Sequence, residues 1–275
     1  MAVLAGMVDG SWRQQWKPLL ERTNLPLPLG RGHPAPSSFK ERTPMGQWIE
    51  LVAADGFALP AWQEQPAGTP RGAVVLLQEI FGVNSHIRDV AARLAARGYA
   101  VVAPATFARV EKGVELGYGD ADMQRGKQLK AAVEALPAPG VLPDLQAAID
   151  FAAQDSGARV GIVGFCWGGL LAWRAACALH GLSAAVPYYG GGMTTKAEAA
   201  RTPRVPVLAH FGRRDHFISE KSVHDFAAAH PEVRVELYDA DHGFHCDQRA
   251  SYDAPAAQLA WTRTLDFLDQ HLQAK

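Results

Sequence analysis

From Gln47 to the end of the chain, short apolar runs alternate with longer stretches whose apolar residues recur every three to four positions. The runs "WIELVAAD" (48–55) and "FALPAW" (57–62) flank Gly56 and predict an N-terminal hairpin. "AVVLLQ" (73–78) and "YAVVAPAT" (99–106) are apolar throughout, as strands buried on both faces are, and they bracket a helical pattern over Ile87–Arg97. The alternation continues. Helix-like "LPDLQAAIDFAAQD" (142–155) precedes strand-like "ARVGIVGF" (158–165), and helix-like "GGLLAWRAACALH" (168–180) precedes "SAAVPYYG" (183–190). Then come "VPVLAHFG" (205–212), a helix near Ser219–Ala229, "VRVELYDA" (233–240) and a terminal helix within Pro255–Leu272. Such β–α repetition predicts an α/β fold, a mostly parallel central sheet with helices on both faces. Residues 46–275 read as one domain.

Residues 1–45 break this pattern. "LPLPLGRGHPAPSS" is dense in Pro, Gly and Ser and holds no sustained period. Trp12, Trp16, Leu19 and Leu20 recur at helical spacing, so an N-terminal arm with a short amphipathic helix is expected, and self-association through it is one use it could have. A formal net charge of −1 provides no general attraction to nucleic acid or an anionic bilayer, which leaves a small molecule as the expected partner. No apolar run approaches the roughly 18 residues of a membrane span, and Met1–Val8 does not read as a leader, so a cytoplasmic protein is expected. Three cysteines cannot build a disulfide framework, and Cys166, Cys177 and Cys246 need separate explanations.

Cys166 lies in Gly164-Phe165-Cys166-Trp167-Gly168, between a strand pattern and a helix pattern. That is the context of a nucleophile elbow, in which a sharp turn lifts the reactive atom above the sheet and the flanking glycines remove colliding Cβ atoms. The position beside a helix N-terminus also favours thiolate. Cys177, inside an apolar helix pattern, reads as core. A cysteine nucleophile needs a base and an orienting acid. In the chain order nucleophile, acid, histidine, Asp215 follows the run ending at Phe211 and His242 follows "VRVELYDA". His210 reads as structural; His216, His245 and, as orienter, Asp241 are the rivals. "DADHGFHCDQ" (239–248) gathers potential metal ligands, yet no second ligand cluster stands at a recognised spacing, so neither a metal nor another cofactor is expected.

The ordered set "QEIFGVN" (78–84), "YAVVAPATFAR" (99–109), "GFCWGG" (164–169), "GRRDHF" (212–217), "DHGF" (241–244) and "RTLDFL" (263–268) resembles the dienelactone hydrolase family of α/β-hydrolases, from about Gln47 to the end of the chain. The resemblance implies a triad of Cys166, His242 and Asp215, with Glu79 as an additional acid that takes up the thiol proton. It also implies an oxyanion hole from the backbone N–H groups of Ile80 and Trp167, and Arg109 as a substrate-carboxylate ligand. Read from the residues alone, Glu79 ends a buried strand and needs a partner, for which Arg88, Arg93 and Arg109 are candidates. Two positions depart from the family. Cys246 stands where the resemblance calls for a second arginine, and Gly243 where it calls for serine; Arg249 could substitute if the loop ran differently. The expected activity is a cysteine-dependent hydrolysis of a carboxylic ester or enol-lactone through a thioester, with a non-catalytic thiol sensor or binding protein as the alternative.

Overall fold

The computed structural model describes residues 46–273. The arm expected over residues 1–45, with its helix near Trp12–Leu20, lies outside the described residues. The strands are β1 (Gln47–Val52), β2 (Ala58–Glu64), β3 (Gly72–Leu77), β4 (Tyr99–Pro104), β5 (Val160–Phe165), β6 (Leu182–Tyr188), β7 (Leu208–Gly212) and β8 (Arg234–Tyr238). The helices are α1 (Ser85–Ala96), α2 (Asp120–Glu134), α3 (Leu142–Ser156), α4 (Trp167–Ala178), α5 (Lys196–Ala199), α6 (Glu220–Ala229) and α7 (Ala254–Leu272).

Among the described residues eight strands form one sheet in the order β1-β2-β4-β3-β5-β6-β7-β8. The β1–β2 hairpin is antiparallel and joins β4 antiparallel; from β4 to β8 every pairing is parallel. Every residue of β3, β4 and β5 is buried, which is why these strands read as unbroken apolar runs rather than alternating ones. Helices account for that burial. A side chain at Gly161 would meet Leu268 and Leu272 of α7, whereas one at Gly164 would meet the start of α4. These β5 positions, an odd number of residues apart, face opposite ways, so α7 and α4 cover opposite faces of the sheet.

The register sets the site. Leu77 pairs with Gly164, Phe165 with Tyr188, and Gly212 with Tyr238. The segments after β3, β5, β7 and β8 therefore leave the sheet at one common edge, where open α/β sheets place their ligands.

Helix α2 was not anticipated from the pattern. Only Gly126, Leu129 and Val133 of its fifteen residues are buried, so its polar sequence carries almost no apolar stripe. A Cβ at Gly126 would lie 2.3 Å from the Ile80 carbonyl oxygen, so glycine there lets α2 press against the segment after β3.

Candidate active site

Cys166 occupies the turn between β5 and α4 with φ 54° and ψ −114°, a left-sided backbone geometry costing a non-glycine residue about 1–3 kcal/mol. The surroundings hold it there. Its N–H donates to the Tyr188 carbonyl at 3.0 Å, and a Cβ at Gly164 would stand 2.0 Å from the Gly168 carbonyl oxygen. At Gly168 a Cβ would lie 2.4 Å from the Gln78 carbonyl oxygen, so both flanking glycines are demanded by backbone, which cannot yield as a side chain can.

His242 reaches the same place from the loop after β8. Its Nδ1 donates to Asp215 Oδ2 at 2.7 Å, while Asp215 Oδ1 accepts the N–H groups of Phe217 (2.8 Å) and Ile218 (3.2 Å). The carboxylate is fixed at both oxygens, and it fixes the ring. Burial works against a charged His242, but the adjoining Cys166 sulfur and the Asp215 carboxylate together outweigh it and raise the ring to about 10. The rivals lie elsewhere. Asp241 accepts the backbone N–H of His242 and faces His216 at 3.2 Å, without reaching the His242 ring. His210 bonds Tyr238 and Thr264 inside the core, where burial pulls it down to about 3. His245 is buried among Phe165, Tyr188 and Trp261 and is pushed well down by desolvation.

Cys166 and His242 open onto a cavity of about 270 Å³ lined also by Ile80, Phe81, Met123, Phe217 and Arg249, with Gly191 and Gly192. Lys127 and Lys130 of α2 line it too, and the sequence pattern did not single them out. They sit on α2, whose polar sequence carries almost no apolar stripe, so their only sequence signal is an i, i+3 spacing. Phe217, 58% exposed, stands edge-on to the His242 ring at 5.1 Å.

Glu79 is buried at the end of β3, and its partner is none of Arg88, Arg93 and Arg109. Arg249 Nη1 donates to Glu79 Oε1 at 3.0 Å, and the Tyr118 hydroxyl stands 3.5 Å from Oε2. The loop permits this because Gly243 has φ +81°, and a Cβ there would lie 2.4 Å from Arg249 Nη1. A serine at position 243 would collide with the guanidinium, so glycine at 243 and arginine at 249 belong together. Cys246 is fully buried, with its thiol pushed up to about 12 chiefly by burial.

Arg109 is placed away from this cavity. It donates to Asp144 at 2.7 and 2.8 Å and to Asp55 at 2.7 and 3.0 Å, and so pairs with two carboxylates at once. It lines a separate cleft along Pro137–Pro143, and its pairing holds Asp55 down to about 2. Arg88 pairs with Glu115, and Arg93 lies over the Trp261 ring. Trp167 turns its indole to Glu134 and Phe107, leaving its backbone N–H as the first of α4 beside Cys166.

The family model for the dienelactone hydrolase family matches residues 59–272. The chain belongs to the dienelactone hydrolase family. It is accordingly a hydrolase of the α/β-hydrolase fold, and the match spans every strand from β2 to β8. Carboxymethylenebutenolidases of Pseudomonas putida and Pseudomonas knackmussii are each 35% identical over 226 residues, covering 80% of this chain and 94% of theirs. A crystal structure from Klebsiella pneumoniae named for a dienelactone hydrolase superposes with TM-score 0.72 at 31% identity, covering 84% of this chain and all of that one. A promiscuous phosphotriesterase from metagenomic libraries, at 24% identity and TM-score 0.64, shares the fold.

Proposed function

We propose that this family member cleaves a carboxylic ester or enol-lactone through a thioester on Cys166. The observation that carries the reading is the cavity itself, which holds the strained Cys166 and the Asp215-anchored His242 together at the sheet edge. The Cys166 sulfur attacks the substrate carbonyl carbon, and the thiol proton passes to the buried carboxylate of Glu79. The carbonyl oxygen becomes an oxyanion facing the N–H groups of Ile80 and Trp167. Collapse breaks the ester C–O bond, and the leaving oxygen takes a proton from His242. Water then attacks the thioester with His242 as base, the C–S bond breaks, and the sulfur regains its proton.

What supports this division of labour is the orientation of each group. Asp215 holds His242 by Nδ1, so Nε2 is the nitrogen left for sulfur and water. Among the described residues the cationic groups of the cavity are Lys127, Lys130 and Arg249, while Arg109 is bound to Asp55 and Asp144. A substrate carboxylate would therefore rest on α2 and Arg249 rather than on Arg109. Apolar Ile80, Phe81, Met123 and Phe217 favour a hydrophobic body beside it.

Aryl esters, enol-lactones and cis- and trans-dienelactone offered to wild type and Cys166→Ala test the reading. The expected result is turnover of at least one substrate by wild type and a drop of at least about a thousandfold in the variant, the scale set by loss of a nucleophile. Equal turnover by both proteins would exclude Cys166 as nucleophile. Reversible oxidation of Cys166 without acylation by any substrate would favour a thiol sensor.

A further inference from the structure

Next to the cavity, three segments bring together side chains that the hydrolytic scheme does not need in combination. Glu79 comes from the end of β3, His86 from the first turn of α1, and Cys246 from the loop after β8. One ligand-capable atom of each lies within 4.8 Å of the other two, and all three residues are buried. From that upper bound a contraction of at most about 1 Å closes the three atoms around an ion with metal–sulfur and metal–nitrogen bonds of roughly 2.0–2.3 Å.

Two features of His86 point to a cation. Its Nε2 is enclosed and has no hydrogen-bond partner among the described residues, although an unsatisfied buried polar atom costs about 1–3 kcal/mol. Its Nδ1 faces the carboxylate of Asp247 at 3.6 Å, and Asp247 is largely exposed, so Nε2 is the nitrogen on the interior side of the ring. Metal-binding histidines are oriented by an acceptor on the nitrogen away from the ion, and Asp247 stands just beyond hydrogen-bond distance of that place. The donor set of one thiolate, one imidazole and one carboxylate suits Zn²⁺ or Co²⁺ rather than Mg²⁺ or Ca²⁺, which take oxygen. The cluster adjoins the cavity through Arg249, which lines the cavity and bonds Glu79.

We propose that Glu79, His86 and Cys246 form a binding site for a thiophilic divalent cation of the Zn²⁺ class. On binding, the Cys246 S–H bond breaks, its proton leaves to solvent, and a sulfur–metal bond forms with no change of oxidation state. Glu79 exchanges Arg249 for the ion. Resting on the proposed role of Glu79, the occupied site withholds the carboxylate from the Cys166 thiol proton, so the cation is a reversible brake on acylation. Cys246 belongs to the "DADHGFHCDQ" segment that already gathers potential metal ligands, whereas Glu79 and His86 lie far upstream at no recognised spacing from it.

Titration of Co²⁺ into Cys166→Ala protein, which lacks the cavity thiol, tests the site without reference to turnover. A thiolate-to-cobalt charge-transfer band should appear, saturate at one metal per chain, vanish on addition of Zn²⁺, and be absent from Cys166→Ala/Cys246→Ser. Cys166→Ala/Cys177→Ser should keep the band, and Asp247→Asn should weaken binding about tenfold. No band, or a band that survives Cys246→Ser or disappears with Cys177→Ser, would overturn the site. Zn²⁺ should also slow ester hydrolysis by wild type, with at least about tenfold more needed for Cys246→Ser, matching the loss of one ligand. Cobalt binding with equal Zn²⁺ sensitivity in both proteins would overturn the brake while the site stood.

Discussion

Replacing Arg249 by methionine keeps much of the side-chain volume and removes the charge that faces Glu79. At an Nη1–Oε1 separation of 3.0 Å the gross attraction is about 5 kcal/mol with an effective dielectric constant of about 20. Much of that attraction offsets the desolvation of both groups, but removing one partner leaves the other's desolvation uncompensated. Glu79 is 1% exposed and among the described residues keeps only the Tyr118 hydroxyl at 3.5 Å, so Arg249→Met should lower the unfolding free energy by about 3 kcal/mol. Glu79→Gln leaves an arginine that is 12% exposed and lies over the rings of Phe81 and Tyr118, and should cost only about 1 kcal/mol. The double variant should recover about 2 kcal/mol relative to the sum of the two losses. Urea denaturation of all four proteins, with equal m-values, measures this coupling. Additive losses would refute the claim that Arg249 is the counter-charge that keeps Glu79 in place.

Other consequences follow from the same geometry. His210 titrates near 3 in the native protein and near its ordinary value of about 6.5 when unfolded, so below pH 6.5 the unfolded chain binds the additional proton. Its contribution to stability is present above pH 6.5 and is lost as pH falls toward 3, at up to about 1.4 kcal/mol per pH unit; urea midpoints at pH 7 and 5 should show the fall, with a smaller one in His210→Gln. His242 is raised through both the Cys166 sulfur and Asp215, so its ring resonances in Cys166→Ala should titrate at lower pH than in wild type, and an unchanged midpoint would separate ring from sulfur. Lys127→Met/Lys130→Met should raise KM for a carboxylate-bearing ester about tenfold, as loss of a charged contact predicts, and leave KM for a neutral aryl ester within twofold. Equal changes for both substrates would place the lysines outside the substrate's reach.

The strands that carry the site were legible because β3, β4 and β5 are buried on both faces and so apolar at every position, and the glycines around Cys166 are imposed by backbone contacts under 3 Å. The α1 boundary moved from Ile87 to Ser85 because Asn84, whose side chain accepts the Ile87 N–H, caps the helix before its apolar stripe begins. What the pattern hid depends on side chains meeting across the fold. Arg109 matches a family motif, yet Asp144 of α3 and Asp55 of the hairpin turn hold it in another cleft. Arg249 reaches Glu79 past residue 243, which lacks a Cβ and turns with positive φ, and no spacing rule for arginines contains that. Lys127 and Lys130 lie on a helix whose polar sequence gives it no periodic signature, and its position follows from one glycine packed on Ile80.

The most direct test is to stop a reaction with a slowly released aryl ester or enol-lactone by acid and map the covalent product by peptide mass spectrometry. The account predicts one acyl group per chain, carried as a thioester on the peptide containing Cys166, accumulating in His242→Ala and absent from Cys166→Ala. Full turnover with no acyl group on that peptide, or acylation of another residue that persists in Cys166→Ala, would contradict it.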